Sequence, residues 1–366
     1  MRITVFGNCQ SPVISEFIGL QCPQARMIPC PRVHLVPQDQ PAQVFAAFEA
    51  ADIVVHQPVS HRFGPIGMDA LKARFPDKTY ISFPSIFFAG LSPQMVRIKG
   101  LAGRAESSGW HDLRVTHAYL AGLTPQDCVA RLNADDGDYL PVFDDAMARS
   151  LAYDAKVDVP VMDLVRDMMA TGPMFHVANH PDNALLWRVA GRILDELGLA
   201  RDETAVMPQD EYLAARSTLV PDTLVRALGY DWSRPLPGVS GTPQSLMDHV
   251  TEFYAFYDRA PQLGPIYKAR IARLAPSVHA ALRLTPVNTE PRAPVAADDM
   301  VSLQTRVART FWLARYDRHH PDSTPQDRNR AWKAAAATYR PIAAAALARL
   351  DRQGIVFKPC KDRIPQ

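Results

Sequence analysis

A cysteine stands at the tip of the first apolar run of the chain, in Ile3-Thr4-Val5-Phe6-Gly7-Asn8-Cys9-Gln10-Ser11-Pro12. The thiolate is the reactive form of that side chain, and the unpaired N–H groups and positive dipole end of a helix N-terminus favour it. Ser11-Pro12 is a helix-start signal, and Gly7 permits a sharp turn ahead of it. Cys9 is thereby expected to be an activated nucleophile presented to solvent; the competing reading is a small buried residue at a strand end. Asn8 and Gln10 flank it with amide donors suited to a tetrahedral oxyanion, and polar side chains are poor core material.

Other residues that could do chemistry follow apolar runs in the same way. His56 closes Ile53-Val54-Val55 and could move a proton or simply bond a neighbouring carbonyl. Ser85 follows Phe83-Pro84. His180 lies in Asn179-His180-Pro181-Asp182-Asn183, a loop that could carry a base; Asp182 or Asn183 would equally cap the helix behind it. His176 and His180 are four apart, but on strand plus loop rather than on a helix, so a zinc pair is not expected, and no metal is. Trp110-His111-Asp112 reads as a surface helix cap. Arg97, Lys99 and Arg104 could meet phosphates or form a solvated face. No P-loop, Gly-x-Gly-x-x-Gly or Gly-x-Ser-x-Gly is present.

The elements that must hold these residues alternate over the first 90 positions. Strands are expected at 3–6, 26–28, 52–55 and 79–83, with helices at 12–20, 41–50 and 68–75 between them. This predicts an α/β fold, a Rossmann-like or SGNH-like three-layer parallel sheet in the N-terminal half. In such sheets ligands bind beyond the carboxyl ends of the strands, where Gly7–Gln10, His56–Pro58 and Pro84-Ser85 fall. From 94 to 170 the pattern turns helical, notably at 125–132, 143–152 and 161–170. A further strand is expected at 174–178, then a helix to about 197 whose inner face is Leu186, Val189, Ala190, Ile193, Leu194 and Leu197. The remainder reads as mainly helical, with examples at 246–257, 301–316 and 328–350, and Pro-rich breaks at 234–243 and 286–298. The expected divisions are 1–200, a helical extension at 201–285 and a C-terminal helical region at 299–366.

Composition narrows the function classes. In 366 residues, 40 Lys plus Arg against 38 Asp plus Glu leave a net charge of +2, so there is no polyanion footprint and nucleic acid is not expected as a partner. Five cysteines, without a Cys-x-x-Cys pair, suggest neither a disulfide framework nor a zinc site. No apolar run approaches the roughly 18 residues of a membrane span, and no leader precedes the first strand. A cytoplasmic location is expected, where a free thiol stays reduced.

Taken in order, Gly7-Asn8-Cys9-Gln10, His56-Gln57-Pro58-Val59, Phe83-Pro84-Ser85-Ile86-Phe87-Phe88, His111-Asp112 and Asn179-His180-Pro181-Asp182-Asn183 resemble the WcbI-type polysaccharide biosynthesis acetyltransferase family. The resemblance covers about residues 1–200 well and reaches loosely to 270. It implies a protein that binds coenzyme A (CoA) or acetyl-CoA and acetylates a sugar of a capsular or other surface polysaccharide. Cys9 would accept the acetyl group, Asn8 and Gln10 would stabilise the oxyanion, and His180 would act as base, with His56 and His111 as competitors. Gly7, Ser85 and His111, with Arg97, Lys99 and Arg104, are expected beside CoA. A layout analogy with hydrolases whose nucleophile follows the first strand places the base in a loop like that of His180. Those hydrolases carry an Asp three residues earlier, where Val177 stands, so Asp182, Asn183 or Asp112 would have to orient the ring. A direct transfer with Cys9 only shaping the pocket is also compatible. The alternatives are a cysteine-dependent thioesterase or esterase on the same layout, and a non-catalytic CoA- or glycan-binding component of a polysaccharide assembly complex, with oligomer or assembly partners.

Overall fold

Ile3, Val5 and Phe6 are buried, as are Val54 and Val55. In the computed structural model these runs are neighbouring strands of one parallel sheet. The structure describes residues 1–37, 39–98, 110–214, 219–230, 232, 245–287, 289, 331–332, 335–336 and 338–339. The chain opens with β1 (Arg2–Phe6), α1 (Ser11–Gln21), β2 (Arg26–Ile28), α2 (Ala42–Ala50), β3 (Ile53–His56), α3 (Met68–Arg74) and β4 (Thr79–Ser82). It continues through β5 (Met95–Arg97), β6 (Trp110–Asp112), α4 (Leu113–Leu120), α5 (Pro125–Asn133), α6 (Leu140–Asp154), α7 (Met162–Met169), β7 (Phe175–Val177), β8 (His180–Pro181) and α8 (Asn183–Glu196). Four helices follow, α9 (Asp222–Ala227), α10 (Leu246–Tyr257), α11 (Leu263–Ile271) and α12 (Pro276–Leu282).

Two units divide the chain, Met1–Pro93 with Asp135–Gln244, and 94–134 with the residues from Ser245 onward. The first is the α/β unit. Its sheet has the order β2-β1-β3-β4, all parallel, with Phe6 opposite His56 and His56 opposite Ser82. Because side chains alternate along a strand, Phe6 and Val54 face one helical layer. There Val44 and Phe48 of α2 and Leu71 of α3 close over them, and the Phe6 and Phe48 rings meet edge to face at 5.5 Å. In the other layer α1 packs on α8: Phe17 lies 5.3 Å from the Trp187 ring, and Gln21 donates to the Trp187 carbonyl at 3.0 Å. The chain leaves β1 toward β2 on one side, and β3 lies on the other. That reversal makes a crevice at the carboxyl ends of β1 and β3, where ligands of such sheets bind.

The second unit has its own aromatic core. Strands β5 and β6 pair antiparallel; Phe253, Phe256 and Tyr257 gather around His111, and Tyr119 packs on Tyr257. The Tyr257 hydroxyl lies 2.7 Å from Thr116 Oγ1 and 3.2 Å from His111 Nδ1.

Two expectations are corrected. Residues 94–112, read as helical, contribute the two short strands β5 and β6; three residues per strand leave no period to read. Trp110-His111-Asp112 is a buried strand, not a surface cap, although Asp112 does cap α4 by accepting from the Arg114 amide at 2.9 Å. The strand expected near 174–178 is β7, which pairs antiparallel with β8 as a hairpin. The Pro-rich segment 234–243 and the helix at 301–316 lie outside the described residues, as do nearly all of 286–298 and 328–350.

Candidate functional site

The turn from β1 to α1 is fixed by amides. Gln10 is 0 % exposed and spends its whole side chain. Its Nε2 donates to the carbonyls of Ile86 (2.7 Å) and Asn179 (2.9 Å), and its Oε1 accepts from Gln57 Nε2 (2.9 Å) and the Ile86 amide (3.1 Å). Gln57 is buried beside it, and its Oε1 accepts from the Asn8 amide at 2.9 Å. Asn8 in turn accepts from the Gln10 amide at 2.8 Å and donates from Nδ2 to Ser85 Oγ at 2.7 Å. One net thus ties together the ends of β1, β3 and β4 and the loop before β8. Gln10 cannot serve an oxyanion, because both its protons are committed; Asn8 keeps a second Nδ2 proton with no partner among the described residues.

Gly7 is needed for a reason other than the one read from sequence. Its φ is not positive. A Cβ there would stand 2.5 Å from Gln57 Oε1, so glycine lets the Gln57 amide lie against the turn.

Cys9 rides on this turn, half-buried and a free thiol. Burial pushes its pKa up, and the opposing pull of its own backbone amide and of Arg32 does not overcome that. Burial therefore opposes the thiolate that the helix N-terminus was expected to favour.

Among the histidines, His180 is half-buried in β8, directly after the Asn179 carbonyl that Gln10 holds. Burial lowers its pKa against the hydrogen bond that its ring donates to the Leu213 carbonyl, and His176 adds to the lowering. A neutral imidazole anchored through one nitrogen leaves the other as acceptor. The orienting group is that carbonyl; Asp182 caps α8 by accepting from the Leu185 amide at 2.9 Å, and Asp112 belongs to the second unit. Asn183 is likewise committed, donating to the Pro208 and Asp210 carbonyls at 3.2 and 2.9 Å. His176 is fully buried, with Nε2 3.3 Å from Glu211 Oε2, and Glu211 also accepts from the Asn183 amide at 2.9 Å. Neither Glu211 nor Leu213 carried a local sequence signal, because both arrive from about 30 residues further along.

His56 ends β3 with Nδ1 3.1 Å from the Gln57 carbonyl and its ring edge-on to Tyr80. Burial pushes its pKa down to about 4. Among the described residues no hydrogen bond joins it to Cys9. His111 is 0 % exposed in the aromatic core of the second unit. Arg97 is an exposed residue of β5 in that unit, and Lys99 and Arg104 lie outside the described residues. Of the expected cofactor residues the structure brings Gly7 and Ser85 to the Cys9 turn. Among the described residues no group of three or more His, Cys, Asp or Glu could hold a metal ion, and no helix is long and apolar enough to cross a membrane.

A half-buried cysteine at the switch point of a doubly wound parallel sheet, held by a buried amide net, defines the class: an α/β protein with a candidate site at the strand ends. The chain belongs to the family described as polysaccharide biosynthesis enzyme WcbI, whose model matches residues 2–202. A solved structure of WcbI, described as a novel polysaccharide biosynthesis enzyme in its native form without a disulfide bond between CoA and one of its cysteines, is similar in fold. It has a TM-score of 0.61 and 18% sequence identity, covering 77% of this chain and 98% of that one. No curated protein matches the chain.

Proposed function

We propose that this polysaccharide biosynthesis enzyme is an acetyl-CoA-dependent O-acetyltransferase that works in the cytoplasm on a sugar of a surface-polysaccharide precursor, with Cys9 as the acyl acceptor. The observation that carries the reading is the placement of a thiol on an immobilised turn at the ligand-binding end of the sheet, one residue from an amide with a proton to spare. The family resemblance and the CoA named for the WcbI structure support the donor.

Because burial opposes the Cys9 thiolate, its deprotonation is coupled to attack. His180 takes the thiol proton as Sγ bonds to the thioester carbon. The bond from that carbon to the CoA sulfur breaks, and the departing thiolate takes the proton from His180. In the second half His180 takes the proton of a sugar hydroxyl, the sugar oxygen bonds to the acyl carbon, and the bond to Sγ breaks. Cys9 regains a proton from His180, so the enzyme ends as it began. The second Nδ2 proton of Asn8 faces the oxyanion, a contribution on the order of 3 kcal/mol for a well-aimed donor. His56, with its pKa near 4, is too weak a base for either step. A second reading gives the base role to His176, favoured by its pairing with Glu211.

The test is intact mass after exposure to acetyl-CoA, with calorimetric titration of CoA and acetyl-CoA into the wild type and Cys9→Ala. An acetyl increment lost in Cys9→Ala, with binding retained, is expected. Rapid loss of the increment to water without an acceptor would mean a thioesterase. Binding without any increment would leave a CoA-binding component, and no binding at all would end the family-derived reading.

A further inference from the structure

On the Ser85 side of the turn, α6, the start of α7 and the loop after β4 enclose a cavity of about 380 Å³. That size lies within the range of small-molecule sites. Ile86, Phe87, Ala146, Val161 and Met162 give it apolar walls. Two of its polar residues are already spent: the Tyr153 hydroxyl accepts from the Ser85 amide, and the Asp154 carboxylate accepts from the Val161 and Met162 amides at 2.8 to 2.9 Å. Arg149, at the edge, is paired with Asp145 one turn back. A sugar entering this space would give up hydrogen bonds to water for few in return, whereas an aliphatic chain would lose none.

Ser85 belongs to both the cavity and the site. It lines the cavity, and its Oγ accepts from Asn8 Nδ2 at 2.7 Å, so the cavity wall stands one hydrogen bond from the turn that carries Cys9. We propose that this cavity receives the acyl chain of the thioester donor, so that the groups transferred extend beyond acetyl to medium-chain aliphatic acyl groups. The inference rests on the reading of Cys9 as acyl acceptor. Bond making and breaking are unchanged by it: the acyl carbon leaves the CoA sulfur and joins Sγ whatever the length of the chain.

The experiment titrates acetyl-, hexanoyl- and octanoyl-CoA into full-length Cys9→Ala, which cannot form the adduct, and records the intact mass of the wild type after each thioester. A fully buried methylene is worth about fourfold in affinity, so octanoyl-CoA is expected to bind at least about thirtyfold more tightly than acetyl-CoA even with partial burial. Ala146→Leu and Ser150→Leu, each added to Cys9→Ala, fill the cavity and should erase most of that preference while leaving acetyl-CoA binding unchanged. Ser150 is only half-buried, so it serves if the Ala146 variant does not fold. Equal affinity for the three thioesters, an acetyl adduct without an octanoyl one, or a preference that survives both folded filling variants would overturn the cavity assignment and leave the Cys9 reading standing. No binding and no adduct with any of the three would overturn both.

Discussion

Gln10 illustrates how a residue chosen for one chemistry is spent on another. An amide beside a nucleophile reads as an oxyanion donor, yet its two protons and its oxygen are all used to join the loops after β1, β3 and β4 and before β8. Gln10→Ala would strand buried groups on Gln57 and Ile86, each costing about 1–3 kcal/mol. The expected outcome is a loss of about 3 kcal/mol or more in denaturant unfolding, together with loss of Cys9 acylation. Unchanged stability with only a slower reaction would restore the oxyanion role. The turn that carries Cys9 was legible, since strand, turn and helix start are all local. The protonation state of the thiol was not, because burial by surrounding loops opposes the helix-end effect that sequence alone can invoke.

Among the elements, the helices and strands of the first 90 residues follow their patterns closely, because the central strands β1 and β3 are buried and each helix keeps one apolar stripe. The hairpin β7–β8 was half legible: its first strand is an apolar run, but nothing in Met174–Ala178 says whether it joins the parallel sheet or folds back. The segment that bonds the His180 ring and pairs with His176 arrives from Pro208–Leu213, and its anchors are long-range bonds from the Asn183 side chain to backbone carbonyls, with no motif. Helix α8 is what holds that arrangement in register. Its N-cap is Asp182, two residues from His180, and Asp182→Ala should cost about 1 kcal/mol of stability by thermal melting. Slower Cys9 acylation and slower deacylation together, beyond the loss of stability, would follow if the cap also positions His180. Phe17, fully buried between the rings of Trp187 and Tyr212, anchors the same helix to α1, and Phe17→Ala should cost about 3–5 kcal/mol.

At the level of the whole molecule, each unit buries a histidine that resists protonation. Burial lowers His56 in the first unit and His117 in the second, each to about 4. A histidine whose folded pKa is depressed contributes nothing against unfolding above about pH 6.5. It favours unfolding as pH falls below that value, because the unfolded chain takes up the proton first. The expected cost reaches at most about 3 kcal/mol for each group by pH 4. Chemical denaturation between pH 7 and 4 should therefore show a steady loss of stability, reduced in His56→Asn. A profile flat across that window would show that both rings are solvated.

The amide net also fixes which atom of Gln10 may be nitrogen. The two carbonyls of Ile86 and Asn179 can only accept, so an oxygen facing them is tolerated only while it carries a proton. Exchanging that single NH2 for O, as Gln10→Glu, would leave the shape of the pocket intact but make its assembly conditional on acid, and incomplete even there, since a carboxyl brings one proton to two carbonyls. The native amide thus keeps the net independent of acidity, and the isosteric acid would turn the same scaffold into a proton-gated latch, seen as acylation of Cys9 that recovers in part, and only on mild acidification.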